Sequence, residues 1–575
     1  MKLFDAFSQK APNKVFFSIV LGALAGVCYA FLIPTVLDSL APDPGRFATV
    51  DSGIETVFAV EVAHYRLAAV FLLTCAFILF ARSFSQIMLL RVSMDVATSL
   101  RIRIYHRIAN APIVDLERMG SPKLIAALTT DVARIVMGAR MLPDLLISIV
   151  TLVGMLGFLL YMNAAVFWFV MGAIVFGVVS YQIPMYFGNR YFVRSRHIAD
   201  DLQESIRALI YGAKELKLNQ NKCASFFDEL LIEHERKILQ YDKRGFTIVR
   251  AAMNYGDLIS FFVIGAVTFV FVNYHSVSST ELLGVIMALL YVTGPVSSIL
   301  NFIPQVIVAR VSLNKVTQIL DELPEEEAER RQPPLDFDWQ SIVFKDVCYR
   351  HPHAGDGGGF QVGPVSLELE RGQVTFIVGG NGSGKSTLSK LMTLHYLPQS
   401  GSIRFGDVEV DPRTLVSCRE QIGAIFTDYY LFDRLLGLGD AQVEERIAGY
   451  LVALKLDHKV TIKDGRFSTL ALSDGQKKRL ALLVALLEDK NLYLFDEWAA
   501  DQDPVFKQVF YQTLLPELRA RNKAVVVISH DDRYFDVADK VLVMEEGRLA
   551  RVELVSGATR AVHPSHQHHQ TSRFA

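Results

Sequence analysis

The chain has 575 residues, a formal net charge of −2 and a hydrophobic content of 51%. That length is too great for one core, and this apolar content, with a mean hydropathy of +0.29, is too high for a soluble enzyme. The balanced charge, with no basic run interleaved with aromatics, gives nucleic acid no footing as a partner.

The apolar excess lies in the first half, in six stretches long enough to cross a hydrocarbon layer roughly 30 Å thick. They cover about residues 15–36, 67–89, 142–162, 166–184, 257–272 and 282–308. The fifth is the shortest and leans on Tyr255 and Tyr274 as interfacial anchors. The first is not a cleavable signal, because its apolar run is too long and no A-x-A site follows it. Arg91, Arg101, Arg103, Arg107, Arg118, Lys123, Arg134 and Arg140 crowd the segment between the second and third stretches, and the segment between the fourth and fifth is similarly basic. Both segments, and with them both termini, are expected in the cytoplasm, giving a multi-pass protein of the lipid bilayer. Cys28 and Cys75 fall in the stretches and Cys223, Cys348 and Cys418 in cytoplasmic parts, so no structural disulfide is expected.

The basic excursions carry an architectural signal. From the second stretch a helical pattern continues through 94–111, breaks at Pro112 and Gly120, and resumes through 124–137. The second excursion repeats the layout with a turn near 219–227. Membrane helices thus extend into the cytoplasm and are joined by short crosswise segments. Arg82, Asp144 and Asp257 sit near or within the stretches, where an ionisable group is a functional candidate unless it lies at headgroup level. Pro184, Gly294, Pro295 and Pro304 are expected to interrupt the fourth and sixth helices. Tyr291, Asn301 and Gln305 are candidates for lining a polar cavity, with ordinary helix packing as the alternative.

A charged, Pro-containing linker at 321–338 separates the membrane half, 1–320, from a second half at 339–555 and a tail at 556–575. Gly379, Gly380, Asn381, Gly382, Ser383, Gly384, Lys385 and Ser386 fit the pattern G-x-x-x-x-G-K-[ST], between a predicted buried strand over 374–378 and a helix starting at Thr387. In such a loop backbone N–H groups curl around the β- and γ-phosphates of ATP. Lys385 adds a point charge, the Ser386 hydroxyl can ligate Mg²⁺, and the helix N-terminus adds its positive end. Further on come Phe426-Thr427-Asp428, then Leu472-Ser473-Asp474-Gly475-Gln476, then a strand over 492–495 ending in Asp496 and Glu497. Ala500-Asp501 follows, and His530 comes after a strand over 524–528. In the tail, His563, His566, His568 and His569 suggest either a transition-metal site or a flexible polar end that does nothing.

In this order the segments resemble the nucleotide-binding domain of ABC transporters, whose signature sequence, here LSDGQ, other phosphate-loop ATPases lack. The membrane half resembles the exporter type of that family. The resemblance implies a six-helix all-α transmembrane domain followed by an α/β ATPase domain, with residues 113–119 and roughly 222–227 as coupling helices. It implies that Tyr349 stacks on adenine, that Asp496 holds Mg²⁺ through water, that Glu497 orients or deprotonates the attacking water, and that His530 contacts the γ-phosphate. Ser473, Gly475 and Gln476 would bind ATP across a homodimer interface, and Asp501 would report one site to the other. Two positions depart from the family. Thr427 stands where a glutamine usually touches Mg²⁺, leaving Asp428, a water or no contact in its place, and Asp474 stands where glycine is usual. A solvated Asp474, or one paired with Lys477 or Lys478, avoids repelling the γ-phosphate.

Gly212 to Asn219 (GAKELKLN), IFTDYYLFD, DEWAADQDP and ISHDD resemble the bacterial cyclic-peptide exporters, which include transporters of pyoverdine-type siderophore precursors, syringomycin-type lipopeptide toxins and microcin J-type lasso peptides. This implies ATP-driven export of a peptide or siderophore-like cargo across the bacterial inner membrane, with periplasmic or outer-membrane export components as further partners. A lipid or multidrug translocator is the alternative.

Overall fold

The computed structural model describes residues 11–40, 54–57, 60–63, 65–270, 273, 279–326, 328, 335, 337–351, 359–438 and 441–555. The chain divides into two units, Met1–His106 with Ser121–Glu322, and Arg107–Gly120 with Leu323–Ala575. The four tail histidines, Tyr274, the Asp257 side chain and part of the linker lie outside the described residues.

Among the described residues the first unit is helical apart from a short hairpin of β1 (Ile54–Val57) and β2 (Val60–Ala63). Its helices are α1 (Pro12–Leu40), α2 (Tyr65–Asn110), α4 (Ser121–Met162), α5 (Ala164–Tyr211), α6 (Ala213–Lys217), α7 (Gln220–Phe269) and α8 (Ser279–Glu322), while α3 (Ile113–Met119) belongs to the second unit. Six of them, α1, α2, α4, α5, α7 and α8, are long and apolar enough to span a membrane. Only 11–33% of their most apolar windows is buried within the chain. The rest, including Leu72, Phe80, Trp168, Phe176 and Phe262, is exposed apolar surface that water would not tolerate and lipid would. Inside, Leu159, Val166, Val170, Val267, Val285, Leu289 and Val292 form a closed apolar cluster. Where α5 and α7 cross, Gly188 permits close approach, since a Cβ there would sit 2.6 Å from Val249.

Two expectations are corrected. The second crosswise segment is α6, not residues 222–227. The long helix ends at Gly212, and α7 restarts at Asn219, whose side chain caps it by accepting the Lys222 N–H at 3.0 Å. Pro184, Pro295 and Pro304 lie inside continuous helices and interrupt nothing.

In the second unit a six-stranded sheet has the order β14 (Arg548–Leu554), β13 (Lys540–Glu545), β5 (Val374–Gly379), β12 (Ala524–Ile528), β11 (Leu492–Asp496), β8 (Ile422–Ile425). All neighbours in it are parallel except β13 and β14. A four-stranded antiparallel sheet runs β4 (Gln361–Glu370), β3 (Ser341–Arg350), β6 (Ser400–Phe405), β7 (Val408–Glu409), and a two-residue hairpin joins β9 (Ile462–Lys463) to β10 (Arg466–Phe467). Strands β11 and β12 are buried at every position, as a parallel strand covered on both faces must be. Two apolar cores lie on the two faces. Helices α9 (Lys385–Met392) and α10 (Asp474–Glu488) carry the phosphate loop and the signature.

Candidate active site

Strands β5, β12 and β11 end side by side, and the candidate groups leave from those carboxyl ends, where α/β sheets place their ligands. After β5 the loop turns with φ +155° at Gly379, +78° at Gly382 and +99° at Gly384, and a Cβ on Gly379 would collide with the Met544 carbonyl. Only glycine lets the loop fold tightly enough to aim successive N–H groups inward. Asn381 and Ser386 are exposed at its rim. The buried Ser383 hydroxyl has no hydrogen-bond partner among the described residues. Lys385 is 7% exposed and closes over the loop, donating to the Gly379 and Gly380 carbonyls at 2.8 and 2.9 Å. A glycine loop turned through left-handed conformations, an orphaned buried hydroxyl and a folded-back ammonium at a helix N-terminus fit a polyphosphate.

Asp496 ends β11 and is 7% exposed. Burial, then the charges of Glu497 and Asp428, pushes its carboxyl up to about 6 against the pull of Lys385. A divalent cation removes that penalty, so the donor set suits Mg²⁺. Thr427 donates its hydroxyl to the Asp496 carbonyl at 3.3 Å, which ties this loop to β11 by the shorter reach of a threonine.

Glu497 adopts φ +50°, a left-handed conformation costing roughly 1–2 kcal/mol in a non-glycine residue. Its N–H donates to the Ile528 carbonyl at 3.1 Å and its carbonyl accepts from Lys478 Nζ at 3.3 Å. The result is a turn that puts Oε1 3.3 Å from His530 Nε2 across a cleft of about 310 Å³ that Ser529 and Asp531 also line. Sequence reasoning named both residues but gave no sign of this backbone strain.

Ser473 caps α10 in a capping box, accepting the Gln476 N–H while its own N–H donates to Gln476 Oε1. Asp474 is 87% exposed with Lys477 at 3.5 Å, so its charge is solvated. Buried Lys478 reaches Asp501 at 2.7 Å, and Gln502 donates to the Gly475 carbonyl at 3.0 Å. The signature helix and the loop after Glu497 are therefore tied to each other by an ion pair and a hydrogen bond.

Tyr349 needs correction. It is 4% exposed, its ring stacks on Tyr396 at 4.7 Å, and it belongs to the core beneath the four-stranded sheet, so it has no open face for adenine. Two residues on, partly exposed His351 places Nε2 2.9 Å from the Thr387 hydroxyl, next to the phosphate loop. Burial and the Lys390 charge hold this imidazole below its ordinary range, hence neutral at pH 7. The strand alternation of β3 could have revealed this, since Val347 and Tyr349 share its buried face.

Within the same unit, α3 is fastened behind the phosphate loop. Glu117 accepts from Lys390 Nζ and from the Tyr396 hydroxyl, both at 2.6 Å. Burial alone would raise the Glu117 carboxyl, but the hydrogen bonds from Lys390 and Tyr396 outweigh it and hold the group below its ordinary value. In the first unit, Arg82 pairs with Asp144 at 3.2 Å, Gln86 donates to the same carboxylate at 2.6 Å, and Tyr29 lies against both Arg82 and Tyr291. Asn301 lines a cavity between α5, α7 and α8, which Tyr291 and Gln305 do not.

Residues 362–500 match the family described as ABC transporter, and residues 15–296 match the ABC transporter transmembrane region. A relative, the ATP-binding protein SyrD of Pseudomonas syringae pv. syringae, is 32% identical over 466 residues, 79% of this chain and 82% of its own. The chain belongs to the ABC transporter family. It is a multi-pass membrane protein whose ATP-binding domain makes it an ATPase coupled to transport. More distant ABC transporters include the ATP-dependent lipid A-core flippase of Alkalilimnicola ehrlichii, 24% identical over 80% of this chain and 79% of its own. The subtilin transport ATP-binding protein SpaT of Bacillus subtilis is 26% identical over 44% of this chain and 43% of its own.

Proposed function

We propose that this ABC transporter exports a peptide product, of the cyclic-peptide, siderophore-precursor or lasso class, across a bacterial inner membrane as a homodimer with both termini in the cytoplasm. The observation that carries the reading is the 32% identity with SyrD along most of both chains, against 24–25% for the flippases. Relatives named for transport of subtilin and of lactococcin-A support peptide cargo. The flippases match 80% of the chain or more, which makes lipid translocation the second reading.

Gly379 to Thr387 would hold the ATP phosphates, and Ser386 directly and Asp496 through water would hold Mg²⁺, with Thr427 or Asp428 standing where a glutamine is usual. Bound there, Mg²⁺ neutralises charge that develops on the phosphoryl oxygens. Glu497 takes the proton of the attacking water and His530 holds the γ-phosphate, while Ser473, Gly475 and Gln476 of the second copy close the site and Asp501 links the two. Residues 1–320 form the membrane domain and 339–555 the ATPase domain. His351 stacks on adenine. His351→Ala should raise the KM for ATP several-fold with little loss of stability, whereas Tyr349→Ala should destabilise the domain by about 3 kcal/mol or more. Steady-state kinetics and thermal unfolding separate the two.

Closure reaches the membrane through Lys390, Glu117 and Tyr396. Glu117→Gln is expected to leave basal ATP turnover unchanged and to remove its stimulation by cargo, as phosphate release in lipid nanodiscs would report. The cargo class is tested by ATPase stimulation with a panel of cyclic peptides, siderophore precursors and lipids. Stimulation by lipid alone favours the flippase reading.

A further inference from the structure

The cavity between α5, α7 and α8 encloses about 250 Å³. That is room for one chain or ring of a ligand, not for a whole peptide. Its two ends differ in chemistry. Gly177 lies opposite Ile259 and Gly256 opposite Tyr181, so α5 and α7 run antiparallel along it. One end is floored by Val170, Leu289 and Val292, which are 0%, 3% and 4% exposed and belong to the closed apolar cluster. The other end carries Arg250, Asn254 and Asn301. From Arg250 to Val263, the α7 residue near the floor, a helix rises roughly 20 Å. None of the three polar side chains has a hydrogen bond or ion pair among the described residues. Arg82, elsewhere in this bundle, is paired with Asp144. Arg250 lies seven residues ahead of the fifth apolar stretch and is exposed at this end, so its unpaired guanidinium stands at the mouth of the cavity, open to an anion.

We propose that this cavity is the anchoring subsite for cargo, and that it takes an amphiphilic peptide by an aliphatic chain laid on the apolar floor and a carboxylate set against Arg250, Asn254 and Asn301. The assignment rests on the peptide-export reading. It differs in asking for two features, one at each end, separated by the length of the cavity. Arg250 discriminates by charge and planar geometry, and the two asparagines supply the remaining donors. The floor rewards chain length and is indifferent to the head.

The test is equilibrium binding, without ATP, to the full chain in nanodiscs of zwitterionic lipid. The probes are a fluorescent N-lauroyl dipeptide with a free C-terminal carboxylate and its C-terminal amide. The native chain should bind the acid about tenfold or more tightly than the amide. Arg250→Gln should weaken the acid by that factor and leave the amide unchanged, and Arg250→Lys should recover part of the loss. Val292→Trp, which fills the floor, should weaken both. Equal binding of acid and amide to the native chain, or an Arg250→Gln effect shared by both, overturns the subsite. Competition by phosphatidylglycerol that exceeds that of the acyl peptide also overturns it, assigning the cavity to a lipid headgroup. Binding as described with no ATP-driven transport of any peptide leaves the subsite and removes the export reading. Peptide transport that ignores Arg250→Gln does the reverse.

Discussion

Glu497→Gln is expected to lower ATP turnover by about a hundredfold or more while nucleotide binding persists. The substitution keeps size and shape, so the left-handed turn at position 497 and its backbone hydrogen bonds to Ile528 and Lys478 are retained. What disappears is the acceptor for the proton of water, 3.3 Å from His530. A negative charge beside Asp496 disappears with it, which eases ionisation of Asp496 but also removes local attraction for a cation, so cation binding should change little. Single-turnover phosphate release, measured alongside nucleotide binding, checks both parts. Native turnover in this variant would place the base elsewhere, and loss of nucleotide binding would make Glu497 a structural residue.

Trp498→Ala is expected to destabilise the ATPase half by about 3–5 kcal/mol, the cost of emptying a large buried aromatic site. Trp498 is 1% exposed, its ring lies 4.5 Å from that of Phe510 and 6.0 Å from that of Phe506, and its Nε1 donates to the Lys478 carbonyl at 2.9 Å. It therefore joins the residue after Glu497 to the N-terminal part of the signature helix. Removing it leaves a void and frees α10, so turnover should fall along with the unfolding midpoint, by roughly 10 °C for a domain of this size. Trp498→Phe keeps most of the packing and loses one hydrogen bond, about 1 kcal/mol. A thermal scan of the detergent-solubilised chain distinguishes the two variants. Equal midpoints for native and alanine forms would remove Trp498 from the account of how the signature is held.

The legible parts of this protein were those written in short, local patterns. The phosphate loop needs glycines at fixed spacing and a lysine beside them, so Gly379 to Ser386 could be read directly, as could six apolar stretches and the break at Pro112 and Gly120 that frees α3. The second crosswise segment was misread by a few residues although Gly212 and the capping Asn219 marked its ends, because charged residues on both sides give no change of period. Tyr349 is the aromatic that the resemblance points to for adenine, but the alternation of β3 turns it into the core and leaves His351, two residues on, beside Thr387. Prolines 184, 295 and 304 suggested breaks, but a long helix packed against neighbours tolerates them. What no pattern carries is convergence between distant segments: Glu117 on Lys390 and Tyr396, or Arg250, Asn254 and Asn301 at one mouth of a cavity.

Peptide export is read by ATP-dependent accumulation of a labelled cyclic peptide inside inverted proteoliposomes containing only this protein. Uptake should require ATP and be absent in Glu497→Gln. ATP-driven movement of a labelled phospholipid or lipid A between leaflets, with no uptake of any peptide, would contradict it.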